Sequence, residues 1–370
     1  MRLQGHILTP EGWCLGQLEC DAGRILSITP DASLDPRQSP WLLPGFIDLH
    51  VHGGGGLDAM QAGEAAAVLA RTHARFGTTS LLVTTMTAAE EELLEALAAV
   101  SRAIESPEPG RAEILGVHLE GPFINPAMLG AQPPRARAGT IEAIERYRAL
   151  APIRLVTLAP EIEGHRALIE HLRDAGIRVQ IGHTCASYRL CVEALGWGVS
   201  GFTHLYNAMT PLHHRSAGAV GAALAHADFC EVIPDLVHVE EGAMRVAMRA
   251  IPRLYAVTDA TAAAGMPDGQ YKLGEHDVYK HSGAVRLANG TLAGSTLTMD
   301  QALRNFMSLG ESLARASLRL STWPADYLGL DDRGRLAPGL RADLVVLDET
   351  YALREVYVGG ERVPSITDHY

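Results

Sequence analysis

The sequence predicts an α/β fold, a (β/α)8 barrel of the TIM type with a small β-sandwich domain formed by the N- and C-terminal segments. Three observations support this prediction. Short β-branched runs alternate with helical patterns from residue 45 onward, both chain ends read as strands and turns, and no glycine-rich dinucleotide fingerprint follows the first strand. About eight strand–helix units over this length favour a closed parallel barrel over an open doubly wound sheet.

The candidate barrel strands are apolar, β-branched runs bounded by turn signals. Between them, apolar side chains recur at helical spacing, as at Leu93, Leu97, Val100 and Ile104. In chain order, the predicted strands are 45–50, 80–84, 114–119, 154–158, 178–183, 201–205, 231–238 and 254–258.

The two chain ends differ from the middle. Neither end has enough apolar surface to fold alone, so we expect residues 1–44 and 335–370 to pair into one small sandwich, leaving 45–334 as the catalytic barrel. Residues 270–294 interrupt the alternation after the eighth strand. They contain the hairpin signal Asn289-Gly290, and we expect them to cover the barrel mouth.

Composition excludes several classes of protein. A net charge of −12 over 370 residues argues against nucleic acid or anionic lipid as a partner, although the charge of one pocket can still differ. The start of the sequence does not have the continuous apolar stretch of a signal peptide, and no run approaches the roughly 20 apolar residues of a membrane helix. The 5 cysteines are scattered without CxxC spacing, which indicates reduced thiols and a cytoplasmic location.

Imidazoles and carboxylates recur where the predicted strands end, and barrel active sites form at the carboxyl ends of strands. His50 and His52 are two apart on one strand, so both point to the same side. A His-x-His alone is weak evidence, but other candidate ligands stand at further strand ends. The side chains singled out in this way are His50, His52, Glu120, His183, His204, His238 and Asp259.

This ligand set indicates a divalent metal ion. Imidazole and carboxylate without thiolate suit zinc or ferrous iron. An open coordination position would bind a water whose pKa falls toward neutrality. Asp259, at the end of the eighth strand, is the candidate for transferring the proton of that water. We interpret His118 as a hydrogen-bonded histidine of the barrel core and not as a ligand.

Longer motifs add a resemblance. Residues 44–52 (PGFIDLHVH), 118–123 (HLEGPF), 182–184 (GHT), 203–209 (THLYNAM) and 257–261 (VTDAT) are the main matching stretches. From about residue 40 to the C-terminus the chain resembles the amidohydrolase superfamily. Within it, the chain is most similar to the enzymes that deacetylate N-acetylated amino-sugar phosphates.

The resemblance implies roles residue by residue. Glu120, His183 and His204 match the ligands of the principal metal, and Asp259 matches the catalytic acid/base. Some members lack the strand-one histidines and hold one metal, and others keep them and can hold two, so His50 and His52 imply one or two ions per chain. The positions that match contacts to the amino-sugar phosphate are Ala131, Gln132, Asn207, Ala208, Arg215, His238, Leu292, Ala293 and Gly294.

Two further expectations follow from the resemblance. Arg215 matches an arginine that the neighbouring subunit of a homodimer supplies to the phosphate. Met128 and Gln132 depart from the family, because many members have a lysine and a histidine there. Gln132 keeps a hydrogen-bond donor but cannot carry a positive charge.

The expected reaction is hydrolysis of N-acetyl-D-glucosamine 6-phosphate to D-glucosamine 6-phosphate and acetate. Three alternatives stay open at this point: the galactosamine epimer or an unphosphorylated sugar as substrate, a cyclic amidase or deaminase of the same superfamily, and a non-catalytic relative. A cyclic amidase gives no evident role to the 203–209 motif or to Arg215. A non-catalytic relative is expected to have lost ligands.

Overall fold

A computed structural model describes residues 1–364, so residues 365–370 of the predicted small domain lie outside the described part. Short 3₁₀ and π-helical turns occupy Ala59–Gln61 and Leu318–Thr322. The helices are α1 (Ala65–Ala74), α2 (Glu90–Glu105), α3 (Ile141–Arg148), α4 (His165–Asp174), α5 (Tyr188–Trp197), α6 (Gly218–His226), α7 (Glu241–Ala250), α8 (Met299–Ser308), α9 (Leu313–Ser317) and α10 (Trp323–Leu328). The strands are β1 (Arg2–Thr9), β2 (Gly12–Asp21), β3 (Arg24–Pro30), β4 (Trp41–Pro44), β5 (Phe46–Val51), β6 (Gly53–Gly54), β7 (Leu57–Asp58), β8 (Thr78–Thr85), β9 (Glu113–Glu120), β10 (Ile153–Leu158), β11 (Arg178–Ile181), β12 (Gly201–Phe202), β13 (Phe229–Val232), β14 (Arg253–Ala256), β15 (Gly269–Leu273), β16 (His276–His281), β17 (Ala284–Leu287), β18 (Leu292–Ser295), β19 (Leu344–Leu347), β20 (Leu353–Val358) and β21 (Glu361–Arg362).

Eight parallel strands form the predicted barrel. Six of them make one sheet in the order β12-β11-β10-β9-β8-β5, and β13 pairs with β14. Backbone hydrogen bonds join the two sheets: Leu205 N–H donates to the Glu231 carbonyl at 3.1 Å, and Asp259 N–H donates to the His50 carbonyl at 2.9 Å. The donors follow the carboxyl ends of β12 and β14, and the acceptors lie within β13 and β5. The predicted fold class is confirmed.

The helices cover the barrel with the apolar faces that their sequence spacing predicts. On α2, the buried side chains include Leu93, Leu97 and Val100, while the opposite face is charged. On α4, Leu168 and Leu172 are buried in the same way. Apolar side chains at this spacing occupy one stripe of a helix, which is why each helix packs against the sheet.

The seventh strand differs from its prediction. The sequence analysis extends it over residues 231–238, whereas β13 ends at Val232. Pro234 follows, and proline cannot donate to a strand ladder. The Asp235 carboxylate then accepts hydrogen bonds from the backbone N–H groups of Val237 and His238. His238 therefore lies in a turn before α7 and not at a strand end, so that part of the prediction is wrong.

The strands of the two chain ends lie in one seven-stranded sheet, with the order β21-β20-β19-β4-β1-β2-β3. Its buried face includes Ile7, Leu18, Ile25 and Leu42. Strand β19 pairs antiparallel with β4 on one side and with β20 on the other. The C-terminal strands therefore join the sheet of the N-terminal strands at the β4–β19 pair. The two segments depend on each other for their hydrogen bonds.

Between β14 and α8 the chain forms a separate antiparallel sheet, β15-β16-β17-β18. Asn289 and Gly290 lie in the turn between β17 and β18, and Gly290 has a φ of 88°. Leu273, Val278, Val285 and Ala293 pack against Met86 and Ala263, and this contact buries one face of the sheet.

Among the described residues, no helix has the length and apolar character that crossing a bilayer requires.

Candidate active site

A cavity of about 390 Å³ opens at the carboxyl ends of the barrel strands. Its walls come from barrel strand ends, from the segment after β9 and from the β15–β18 sheet. The lining residues are His52, Met86, Glu120, Ala127, Met128, Gly130, Ala131, Gln132, His183, His204, Asn207, Ala208, His238, Asp259, Leu273, Thr291, Leu292 and Gly294.

One cluster, here the Glu120 group, consists of Glu120, His183 and His204. Glu120 is the last residue of β9, and the two histidines follow β11 and β12. Their Nε2 atoms lie 3.1 and 3.0 Å from Glu120 Oε1 and 3.1 Å from each other. His183 Nδ1 is 2.8 Å from the Met128 carbonyl, to which it donates, so its Nε2 lone pair faces the cluster.

A second cluster, here the His50 group, consists of His50, His52 and Asp259. The Nε2 atoms of the two histidines are 3.1 Å apart. Asp259 Oδ1 lies 3.4 Å from His50 Nε2 and 3.2 Å from His52 Nε2. The carboxylate of Glu120 separates the two groups, because its other oxygen, Oε2, lies 3.1 Å from His52 Nε2. The two groups are therefore adjacent and share a carboxylate neighbour.

The electrostatics of the site reflect buried carboxylates facing imidazoles. Burial opposes a charge on His52, yet Asp259 and Glu120 raise the pKa of His52 to about 9. Burial also opposes charge on Glu120, but His50, His183 and His204 hold the pKa of this carboxyl well below its ordinary value. The pKa of Asp259 is lowered too, by His50 and His52 against the effect of burial. The arrangement strongly favours positive charge between these side chains.

Both groups fit a divalent cation. Two Nε2 atoms only 3.1 Å apart cannot both direct lone pairs at each other without a cation or a proton between them. Buried carboxylates need an opposite charge as well. Imidazole and carboxylate donors, with no thiolate among the six residues of the two groups, match zinc or ferrous iron.

The backbone turns sharply where these side chains enter the site. His183, His204 and Asp259 have φ values of 46°, 30° and 50°, in the left-handed region that residues with side chains seldom adopt. Such conformations cost about 1–3 kcal/mol each and gather at functional sites. Gly294, with a φ of 61°, packs beside Asp259, where an added Cβ would lie 2.9 Å from the Asp259 carbonyl oxygen.

The structure brings together most of the predicted substrate residues. Ala131, Gln132, Asn207, Ala208, His238, Leu292 and Gly294 line the cavity. Ala293 does not; it is buried on the opposite face of β18. Arg215 is exposed and stands outside the lining of the cavity of its own chain, with Nη1 2.7 Å from His214 Nε2.

Gln132 has a defined orientation. Its Oε1 accepts from the Thr87 backbone N–H at 2.7 Å, and its Nε2 donates to Glu120 Oε2 at 2.7 Å.

The Asp235 carboxylate orients His238, because its Oδ2 lies 2.6 Å from His238 Nδ1. That contact raises the pKa of His238 although burial opposes the charge.

Sequence reasoning missed two buried carboxylates behind the site. Glu231 on β13 contacts His50 Nδ1 at 2.8 Å. Asp48 on β5 accepts from the Thr258 hydroxyl at 2.6 Å, next to Asp259, and burial raises the pKa of Asp48 to about 7. The available signal was an acidic residue inside an otherwise apolar strand, since a buried carboxylate must be paired.

Comparisons with known proteins agree with this architecture. A sequence model of the amidohydrolase family matches residues 41–364. The chain is 40% identical over 366 residues to an N-acetylgalactosamine-6-phosphate deacetylase of Escherichia coli O157:H7, covering 96% of this chain and 97% of that protein. It is 38% identical over 328 residues to an N-acetylglucosamine-6-phosphate deacetylase of Lysinibacillus sphaericus, covering 86% and 84% of the two chains.

Solved structures extend the likeness to three dimensions. A variant N-acetyl-D-glucosamine-6-phosphate deacetylase from Mycobacterium smegmatis, in complex with N-acetyl-D-glucosamine-6-phosphate, superposes with a TM-score of 0.90 at 34% identity. That superposition covers 99% of each chain. Because the family model matches most of the sequence and relatives match it at this level over nearly its whole length, the chain belongs to the amidohydrolase family.

Proposed function

We propose that this enzyme hydrolyses the amide bond of N-acetyl-D-glucosamine 6-phosphate, releasing D-glucosamine 6-phosphate and acetate. The observation that supports it best is one cavity lined by members of both candidate metal groups together with Asn207, Ala208 and His238. Relatives at 38% and 34% identity are deacetylases of this sugar phosphate.

Zinc or ferrous iron is the proposed cofactor. Glu120, His183 and His204 would hold the principal ion, and His50, His52 and Asp259 a second. A bound divalent ion supplies Lewis acidity and lowers the pKa of a water molecule. The scattered cysteines without CxxC spacing support a cytoplasmic enzyme.

Asp259 is proposed as the acid/base. Its carboxylate lines the cavity, and its lowered pKa keeps it ionised at neutral pH, so that it can accept a proton from water. An amide can be cleaved only if the departing nitrogen is protonated, and Asp259 would return the proton to it. The contact of Gly294 and Ser295 with the Asp259 backbone holds the carboxylate in place.

Gln132 and Leu292 would shape the acetyl end of the cavity. One amide proton of Gln132 is committed to Glu120, which leaves a second proton for an oxygen of the substrate. We propose that this proton stabilises the developing oxyanion. Leu292 and Met128 add apolar surface to the lining.

The phosphate is proposed to bind between His238 and Arg215 of a second subunit in a homodimer. His238 lines the cavity, and Asp235 holds its ring in place. The exposed position of Arg215, outside its own cavity, supports a contribution across an interface. A guanidinium binds phosphate as a planar fork, which fixes the far end of the sugar and positions the amide.

The galactosamine 6-phosphate epimer is the second candidate substrate. The relative at 40% identity over 96% of this chain is an N-acetylgalactosamine-6-phosphate deacetylase. The two sugars differ only in the configuration of one hydroxyl group, so the metal groups and Asp259 would serve both.

Acetate release from a panel of four sugars tests the proposal: both N-acetylated epimers, each with and without the 6-phosphate. We expect the highest kcat/KM for the glucosamine phosphate and weak activity without phosphate. Higher kcat/KM on the galactosamine phosphate would favour the second candidate. No acetate from any of the four by the metal-loaded protein would contradict both.

A further inference from the structure

Glu231 connects the two metal groups through one oxygen atom. Its side chain is fully buried, in the third position of β13. Glu231 Oε1 lies 2.8 Å from His50 Nδ1, in the His50 group, and accepts the backbone N–H of His204, in the Glu120 group, at 2.9 Å. One carboxylate oxygen therefore contacts a side chain of one group and the backbone of the other.

The contact with His50 decides which ring nitrogen is available. A carboxylate oxygen only accepts, so the proton of the neutral imidazole is on Nδ1. The Nε2 lone pair of His50 is then left facing His52 Nε2 and Asp259 Oδ1. A carboxylate behind a metal-binding histidine fixes its tautomer in this way and makes it a stronger donor.

The contact with His204 is of a different kind. His204 has a φ of 30°, and the bond from its N–H to Glu231 helps hold this unfavourable turn. Its ring does not contact Glu231; its Nε2 faces Glu120 and His183. Glu231 thus acts on the ligand atom of His50 directly, but on that of His204 only through the backbone.

The second carboxylate oxygen strengthens this assignment. Glu231 Oε2 is buried and has no hydrogen-bond partner among the described residues. A buried, half-paired carboxylate costs free energy, which is offset if its charge balances a cation nearby. Residues of both groups, His50 and His204, are the direct contacts of its other oxygen.

We propose that Glu231 is a positioning residue that creates the second ion site by fixing the tautomer of His50 and supplying negative charge behind it. This inference rests on the metal sites of the proposed function, but it does not depend on the identity of the substrate. It predicts that the charge of Glu231 matters more to the ion at the His50 group than to the ion at the Glu120 group.

The test is a metal titration of the full-length protein after a chelator has removed its metal. Calorimetry and the visible spectrum of bound Co²⁺ monitor the titration. Wild type should bind two ions. Glu231→Gln keeps the shape and the acceptor oxygen but removes the charge. It should weaken the second ion about 10–100-fold, as such supporting carboxylates typically do, and weaken the first ion much less. On a His50→Ala background, the same change should have no further effect on the second ion.

Glu311→Gln is the matched control. Glu311 pairs with the buried Arg319 and contacts neither metal group, so its loss should leave both affinities unchanged. If Glu231→Gln does not fold, Glu231→Asp, which keeps the charge but withdraws it from His50, should give the same selective loss. One ion in wild type, equal weakening of both ions, or no weakening would each overturn the proposal. Selective weakening in a protein that deacetylates no sugar would keep this inference and overturn only the proposed function.

Discussion

The two ends of the barrel handle charge in opposite ways. At the carboxyl end, Glu120 and Asp259 face imidazoles across distances of 3.0–3.4 Å, and several buried polar atoms have no hydrogen-bond partner among residues 1–364. At the amino end, Arg333 donates to Ser80 Oγ at 2.9 Å and lies 3.2 Å from Glu113. Arg319 at that end pairs with Glu311 and donates to the Leu254 carbonyl.

The amino end is arranged for stability, whereas the carboxyl end is arranged for binding and chemistry. The paired amino end also joins the barrel to the terminal sheet, because Arg341 bonds Glu113 at 2.9 Å and Asp343 at 3.0 Å. The carboxyl end places its buried carboxylates against imidazoles instead of guanidinium groups, and it holds part of its backbone in unfavourable conformations. We therefore expect substitutions at the carboxyl end to change chemistry, and substitutions at the amino end to change stability.

The largest expected effect is that of Asp259→Asn. The amide cannot accept the proton of water, so kcat should fall about 10²–10⁴-fold or more. The thermal midpoint should stay close to that of wild type, and metal content should change little at the Glu120 group. Steady-state kinetics, metal analysis and a thermal melt measure the three quantities. A variant that keeps more than a few per cent of activity would assign the proton transfer to another residue.

The next prediction separates the two metal groups. Alanine at Glu120, His183 or His204 should remove the principal ion, whereas alanine at His50 or His52 should remove at most a second ion. Elemental analysis of the five purified variants measures this directly. Wild type with one ion per chain, unaffected by changes at His50 and His52, would show that the strand-one pair holds no metal.

A smaller and substrate-dependent effect is expected for Arg215→Ala. Losing a charged bond to phosphate costs about 1.5–3 kcal/mol, so KM for the 6-phosphorylated sugar should rise about 10–100-fold. KM for the plain sugar should hardly change. Equal losses on both sugars would remove the phosphate from the proposal.

Mixing the subunits sharpens this prediction. Dimers with one Arg215→Ala subunit and one Asp259→Asn subunit contain one site with both residues intact. At a low concentration of the phosphorylated sugar, mixing should therefore give more activity than either variant has alone. A phosphate-selective loss without rescue in verified mixed dimers would place Arg215 in the site of its own subunit.

Arg333→Gln at the amino end should affect activity least. Its guanidinium is buried, with Ser80, Glu113 and Asp332 as partners. Losing hydrogen bonds to charged groups should lower the free energy of unfolding by about 1.5–3 kcal/mol, and kcat/KM should remain at the wild-type level. Denaturant unfolding and acetate release measure the two. Lost activity at unchanged stability would contradict the division between the two ends.

The sequence predicted the barrel well because its strands and helices differ in apolar period, which is a local signal. His50, His52, Glu120, His183, His204 and Asp259 stand at or beside strand ends, so the fold alone brings them together. Glu231 was not predicted, because its partners are distant in sequence and only the closed barrel brings it to His50. His238 was assigned to a strand end because apolar residues on both sides masked the turn that Pro234 and Asp235 impose, with Val232 and Ile233 before it and Leu236 and Val237 after it.

The β15–β18 sheet has one further consequence, for how new specificities arise. It supplies Leu273, Thr291 and Leu292 to the cavity but none of the residues in either metal group. Only its last strand is tied to the chemistry, since Ser295 N–H donates to the Asp259 carbonyl at 2.8 Å. We therefore expect substitutions in residues 269–291 to remodel the wall beside the sugar and to leave the metal groups and Asp259 in place. In that sense substrate selection and bond cleavage are assigned to different parts of the chain, and one can be altered without rebuilding the other.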